Sequence, residues 1–282
     1  MNTIETFVTD SASAHQKRFG DRDRAYQELW ALCSSVLGWS LAQLFTKMGE
    51  PLDPHTHNRL CALVERRLTG EPLSYLVGRA EFWSLELMVN PTVLVPRPET
   101  EWLVTHALDV LPPDATNTVM DLGTGSGAIA IALKTERAGI HMIAVDYSQA
   151  ALQTAQTNAN RAHCTMDFIQ TSWLTALADR TAHIIVSNPP YIASDDSHLA
   201  TDELRFEPRL ALDGGMDGLQ ALRAIINEAP RVLHHGGYLF LEHGYDQRNA
   251  VRALLHKAGF SQCETWPDYA GHDRVSKGIW YG

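Results

Sequence analysis

Thr118-Val-Met-Asp-Leu-Gly-Thr-Gly-Ser-Gly-Ala128 is the stretch that decides the fold of this chain. A short apolar run, Thr118–Leu122, meets glycines at 123, 125 and 127. An alanine- and isoleucine-rich helical pattern, Ala128–Lys134, follows at once. Strand, glycine turn and helix in that order open a nucleoside-binding β-α-β unit. Gly123, Gly125 and Gly127 let the backbone turn sharply and approach a ligand, with helix-end amides pointing outward. The run also satisfies G-x-G-x-x-A, so by itself it does not separate NAD from other nucleoside ligands.

Downstream, strands and helices alternate. His141–Val145 predicts a strand, Ser148 caps a helix to about Ala162, and Met166–Gln170 and His183–Ser187 predict two more strands. A helix over Leu219–Leu233, a strand over Tyr238–Glu242 and a helix over Gln247–Ala258 continue the series. Such alternation predicts an α/β fold with a parallel sheet covered on both faces. Two late segments, Phe260–Trp266 and Val275–Tyr281, predict an antiparallel edge.

Upstream, the pattern changes. Residues 1–20 are polar and Ser/Thr-rich and predict a loosely held lead-in. From Tyr26 to about Thr69, apolar residues recur at three- and four-residue steps, which predicts a small helical domain ending near Pro72. Glu81–Val95 is rich in β-formers with Asn90-Pro91 in its middle, which predicts a hairpin turning there. Pro98 then opens a helix with Leu103, Val104, Ala107 and Leu108 on its apolar face. The expected division is a helical domain over 1–75, a hairpin linker over 76–97 and a catalytic domain over 98–282.

Charge narrows the partners. The 282 residues hold 23 Lys+Arg against 33 Asp+Glu, a net charge of −10, and residues 101–282 carry −8 of it. Phosphate backbones are bound by Lys/Arg that displace counterions, so direct nucleic-acid binding is not expected. No apolar run approaches the roughly 20 residues that cross a bilayer, and MNTIETFVTD has neither a basic start nor an apolar core. No membrane association and a cytoplasmic location are therefore expected. Cys33, Cys61, Cys164 and Cys263 form no C-x-x-C pair, and the close pairs His55/His57 and His234/His235 lack ligand partners, so no metal is expected. Asp213-Gly-Gly-Met-Asp-Gly218 reads as a surface loop, since it lacks the spaced carboxylates of a calcium site.

Two further elements point to chemistry. Asp146 ends the second strand about 20 residues past the glycines, where a carboxylate accepts ribose hydroxyls. Ser187-Asn188-Pro189-Pro190-Tyr191 follows the strand His183–Ser187 directly, on the side of the sheet where ligands bind. Its two prolines stiffen the turn and remove two amide donors. What remains is the Asn188 side-chain oxygen, the Pro189 carbonyl and the aromatic face of Tyr191. Such an edge suits a planar NH2 group, held by its two hydrogens with its lone pair toward an electrophile. Because an amide nitrogen is a poor nucleophile, orientation and electrostatics must supply most of the catalysis.

Together, D-x-G-x-G-x-G, the strand-end acid and N-P-P-Y resemble the class I methyltransferases that act on NH2 groups. Gly70-Glu-Pro72, Glu81-Phe82-Trp83, Leu94-Val-Pro-Arg-Pro-Glu-Thr-Glu101 and Arg205-Phe-Glu-Pro208 extend the resemblance to the HemK/PrmC family of release factor glutamine N5-methyltransferases, from about residue 25 onward. The resemblance implies a Rossmann-like, seven-stranded sheet with a small N-terminal helical domain joined by a β-hairpin. It implies S-adenosylmethionine as cofactor, with Gly123, Thr124, Gly125, Ser126 and Gly127 around its methionine part, Asp146 on its ribose, Trp173 against its adenine and Asn188 beside it. Asn188, Pro189, Pro190 and Tyr191 would hold the substrate, with Asn188, Pro189 and Tyr191 as the catalytic set. The implied substrate is the glutamine of a Gly-Gly-Gln loop in class 1 peptide chain release factors, docked on the helical domain. Alternatives are a ribosomal-protein glutamine methyltransferase, an adenine-N6 methyltransferase and a non-catalytic nucleoside-binding module. For Trp173 a plain core position, and for Arg97 and Glu99 a helix-start ion pair, stand beside the functional reading.

Overall fold

The computed structural model describes residues 2–201 and 203–282. Two compact units emerge, residues 2–79 with the short segment 203–206, and residues 80–201 with 207–282.

The first unit is helical: α1 (Ile4–Phe19), α2 (Arg22–Leu37), α3 (Leu41–Thr46), α4 (Pro54–Leu68) and α5 (Leu73–Val77). The expected loose lead-in is instead helix α1. Thr3 and Thr6 cap it reciprocally, and Ile4, Phe7, Val8 and Ala12 are buried along one face. The serines and threonines that suggested disorder fall mainly on its outer face. Beneath α1, Arg67 is only 1% exposed, and its guanidinium meets Glu28 at 2.6 Å and Glu203 at 2.8 Å. A charge this deep is tolerated only because it is fully paired.

The second unit opens on a hairpin, β1 (Arg79–Phe82) and β2 (Leu85–Met88). Its turn is Trp83-Ser84 rather than Asn90-Pro91. Both residues are left-handed, with φ 53° and 57°, the geometry that matches the twist of a two-residue hairpin. Glu101 holds that turn by accepting the Trp83 amide at 2.7 Å. Asn90 forms a separate turn beyond β2, accepting the Thr92 amide on its side chain and the Val93 amide on its carbonyl. A short 3₁₀ turn at Pro98–Thr100 leads into α6 (Glu101–Leu108).

The sheet follows: β3 (Thr118–Leu122), α7 (Ala128–Glu136), β4 (His141–Asp146), α8 (Gln149–Arg161), β5 (Asp167–Gln170), β6 (Ala182–Ser187), α9 (Gln220–Val232), β7 (Leu233–Glu242), α10 (Arg248–Lys257), β8 (Ser261–Pro267) and β9 (Asp273–Trp280). Its seven strands lie in the order β5-β4-β3-β6-β7-β9-β8. β3 pairs in parallel with β4 and β6, while β9 runs antiparallel to β7 and β8. Side chains alternate across β3, so Val119 joins the core under α6 and α7, and Met120 and Leu122 join the core under α9 and α10. Both faces are therefore covered.

Register places the chemistry. Leu122, the last residue of β3, lies level with Val145 of β4 and Ser187 of β6. The glycine loop, Asp146 and Asn188 consequently emerge side by side at the carboxyl edge, where chain order reverses around β3. None of the described helices is long and apolar enough to cross a membrane. All four cysteines are free thiols.

Candidate active site

The glycine loop is tied to the end of β4. Gly123 and Thr124 both donate their amides to the Val145 carbonyl, at 2.8 and 3.0 Å. Gly125 donates to Asp146 Oδ2 at 2.9 Å, and the Gly127 amide closes the turn on the Thr124 carbonyl. Asn158 of α8 donates to the Ser126 carbonyl at 2.8 Å. Gly123 has φ 70°, and a Cβ there would sit 3.4 Å from the Trp173 ring. The indole would tolerate a Cβ at that distance; it is the left-handed φ that favours glycine at 123. Trp173, itself left-handed at φ 48°, also packs on the core under α9 and α10.

Two carboxylates flank the loop. Asp146 accepts from the Ser148 amide at 2.8 Å on Oδ1 and from Gly125 on Oδ2, and burial raises its pKa. Asp121, which sequence reasoning treated only as the first letter of the motif, is completely buried. Thr124 donates to its Oδ2 at 2.6 Å, and its Oδ1 makes no well-formed hydrogen bond among the described residues, the Ala130 amide of α7 offering the carboxylate only a weak one. Burial pushes its pKa up to about 7. A buried carboxylate oxygen so poorly satisfied beside a glycine cradle suits a cationic or hydroxyl-bearing ligand.

The proline corner is held from three sides. Ser187 donates its hydroxyl to the Leu122 carbonyl at 2.7 Å, locking the end of β6 to β3. Asn188 donates Nδ2 to Thr100 Oγ1 at 3.1 Å, which leaves Oδ1 as an acceptor. No backbone donor among the described residues takes the Pro189 carbonyl. Tyr191 donates its phenol to Glu242 Oε1 at 3.2 Å, and its carbonyl accepts Gln247 Nε2 at 3.0 Å.

The 213–218 segment is more than a surface loop. Gly214 donates its amide to the Ile192 carbonyl at 2.7 Å, and Ile192 donates to Leu212. Gly218, at φ 68°, lies so close under Tyr191 that a Cβ there would collide with the Tyr191 carbonyl. The segment is thus a backing plate for Pro190 to Ile192. Gly218→Ala is expected to displace the corner and lower turnover by about tenfold or more, since small misplacements at a reacting centre are costly. Methyl-transfer rates beside circular dichroism check this.

Thr100, which the sequence offers only as part of the 94–101 motif, and Glu242, which no motif marks, lie beside the proline corner. Thr100 is buried at the end of Val95–Thr100. Glu207 anchors that segment by accepting the Val95 amide at 3.1 Å and pairing with the Arg97 guanidinium. Arg97 therefore pairs with Glu207 rather than with Glu99. Glu242 ends β7, 1% exposed, with Tyr191, the Thr100 hydroxyl and Arg274 facing it. Burial pushes Glu242 up to about 7, and burial likewise raises the Tyr191 phenol well above its usual range. Because Glu242 holds its proton to a higher pH when folded than when unfolded, stability is expected to fall as pH rises from about 4.5 to 7. Denaturant unfolding across that window checks this, with Glu242→Gln flattening the slope. Among the described residues no three His, Cys, Asp or Glu side chains cluster as metal ligands.

A glycine loop, a strand-end acid and an acceptor corner on adjacent strands are thus one site. Two families match the chain, the PrmC N-terminal domain over residues 14–78 and the methyltransferase small domain over residues 101–207. The release factor glutamine methyltransferase of Burkholderia pseudomallei (strain K96243) is 47% identical over 254 residues, covering 88% of this chain and 89% of that protein. The chain belongs to the release factor glutamine methyltransferase family. A second member of the family, from Vibrio cholerae serotype O1, is 42% identical over 278 residues, covering 98% and 96%. A methyltransferase crystal structure from Pyrococcus furiosus shares the fold, with TM-score 0.53 and 18% identity over 70% of this chain and 89% of that one. Within the family frame, the matched small-domain segment carries the glycine loop, Asp146, Trp173 and the whole Asn188–Tyr191 corner. Glu242 lies beyond the matched segment, on the strand that closes the site.

Proposed function

We propose that this protein moves a methyl group from S-adenosylmethionine to the side-chain amide nitrogen (N5) of the glutamine in the Gly-Gly-Gln loop of class 1 peptide chain release factors, in the cytoplasm. The observation that carries the reading is the Asn188 carboxamide, whose Nδ2 donates to Thr100 and whose Oδ1 is left free at the end of the strand beside the glycine loop. Membership in a family whose relatives bear that substrate in their name supports it.

The residues present fit the cofactor. Backbone groups from Gly123 to Gly127, with Thr124 and Ser126, would line its methionine part, and the poorly satisfied Asp121 Oδ1 would face its cationic end. Asp146 would accept from the ribose hydroxyls, and Trp173 would lie against the adenine. When bound, S-adenosylmethionine supplies an electrophilic methyl group on a sulfonium. The protein's part is orientation. Asn188 Oδ1 and the Pro189 carbonyl accept the two N–H groups of the substrate carboxamide, which turns the nitrogen lone pair toward the cofactor. Pro190 keeps the corner stiff, and Tyr191 packs on the amide plane. Both acceptors are neutral and already in place, so they stabilise developing positive charge on the nitrogen without reorganising, and the methylated nitrogen then sheds one proton to solvent. The helical unit, 2–79, serves as the docking surface for the protein substrate.

Incubation of a purified release factor with the protein and S-adenosylmethionine, followed by peptide mass spectrometry, tests this reading. One added methyl on the glutamine side chain of the Gly-Gly-Gln loop is the expected result. Methyl on any other residue, or only on added nucleic acid, would reject it.

A further inference from the structure

We propose that Thr100 is a positioning residue of this active site, fixing the direction of the Asn188 carboxamide so that an acceptor rather than a donor meets the glutamine amide. The inference rests on the assignment of Asn188 as the group that grips the substrate.

An asparagine amide is nearly symmetric in shape but opposite in chemistry at its two ends, one an acceptor and the other carrying two donors. Turned the wrong way, Asn188 would present N–H groups to the N–H groups of the substrate, and the grip would become a repulsion. Something must therefore hold the amide in one of its two orientations. Thr100 Oγ1, 3.1 Å from Asn188 Nδ2 and 4% exposed, is the group in contact with it. The Thr100 oxygen accepts, so the donor end of the Asn188 amide is turned to Thr100 and Oδ1 is left for the substrate.

Glu242 stands close by, 1% exposed, with the Thr100 hydroxyl and the Tyr191 phenol facing it. Tyr191 donates to its Oε1 at 3.2 Å, so this buried group holds the other end of the proline corner. At the near end Asn188 Nδ2 donates to Thr100 Oγ1, and an amide that donates through its nitrogen is polarised so that Oδ1 becomes a better acceptor. The anchor of the Val95–Arg97 segment on Glu207 keeps Thr100 at its post.

Thr100→Val keeps the shape of the side chain and removes the hydroxyl; Thr100→Ser keeps the hydroxyl. With a release factor as substrate, Thr100→Val is expected to lower kcat by about tenfold or more, while the dissociation constant for S-adenosylmethionine stays within about twofold. Thr100→Ser is expected to restore kcat to within about threefold of the wild type. In an Asn188→Ala background, Thr100→Val is expected to cost almost nothing more, since its effect passes through Asn188. Should Thr100→Val fail to fold, Thr100→Ala against Thr100→Ser gives the same contrast. Unchanged kcat in Thr100→Val, equal losses in Val and Ser, or a parallel loss of cofactor affinity would overturn the inference. A wild-type protein that leaves the release factor unmethylated would instead sink the substrate reading, and the inference with it.

Discussion

Asn188→Ala is expected to lower kcat for release factor methylation by roughly 30- to 1,000-fold, the range for losing one pre-organised polar contact at a reacting group. Asn188 emerges from β6 next to the glycine loop, and its Nδ2 is already engaged by Thr100, so its free oxygen is the side-chain acceptor at the corner. Truncation removes that acceptor and leaves the Pro189 carbonyl to hold one N–H alone. The substrate amide then rotates, and its lone pair spends little time aligned with the methyl group. The residues proposed to hold the cofactor, Gly123 to Gly127 and Asp146, are untouched by the substitution, so the dissociation constant for S-adenosylmethionine is expected to hold within about threefold. Single-turnover methyl incorporation and calorimetry separate the two quantities. A parallel fall of both, or no change in either, would contradict the role.

Asp146→Ala is expected to do the reverse. Its carboxylate has one oxygen on the Ser148 amide and the other on the Gly125 amide, and each oxygen keeps further acceptor capacity. Hydrogen bonds to a charged acceptor are worth about 1.5–3 kcal/mol, so affinity for S-adenosylmethionine is expected to fall roughly 10- to 100-fold. At saturating cofactor, kcat is expected to change far less, because the proline corner is untouched. α8 survives the substitution, since Ser148 still caps it by accepting the Ala151 amide. Titration calorimetry reads this directly, and an unaltered affinity would remove Asp146 from the cofactor site.

Much of this architecture is written in local patterns. Thr118–Leu122, the glycines and Ala128 onward are legible because strand, turn and helix each carry their own chemistry within a dozen residues. The Asn188 corner is legible for the same reason, as two prolines after an apolar strand have few other uses. The failures are equally physical. α1 was obscured by composition, although Ile4, Phe7, Val8 and Ala12 recur at helical spacing behind a Thr3 cap. The hairpin turn at Trp83-Ser84 contains no Gly, Asn or Pro, so its sequence carries a weaker turn signal than Asn90-Pro91 nearby. The 213–218 segment shows its glycines openly, but not what their missing side chains make room for. Thr100 and Glu242 lie far apart in the chain, and they meet only because α6 packs beside the sheet and β7 lies next to β6. No spacing rule reports a contact of that kind.

The most direct test of the central claim is the structure of this protein with S-adenosylhomocysteine and a Gly-Gly-Gln peptide. The glutamine side-chain nitrogen is expected within about 3 Å of both Asn188 Oδ1 and the Pro189 carbonyl oxygen, with its free face toward the sulfur. A nitrogen out of reach of both oxygens, or one facing Asn188 Nδ2, would contradict the account.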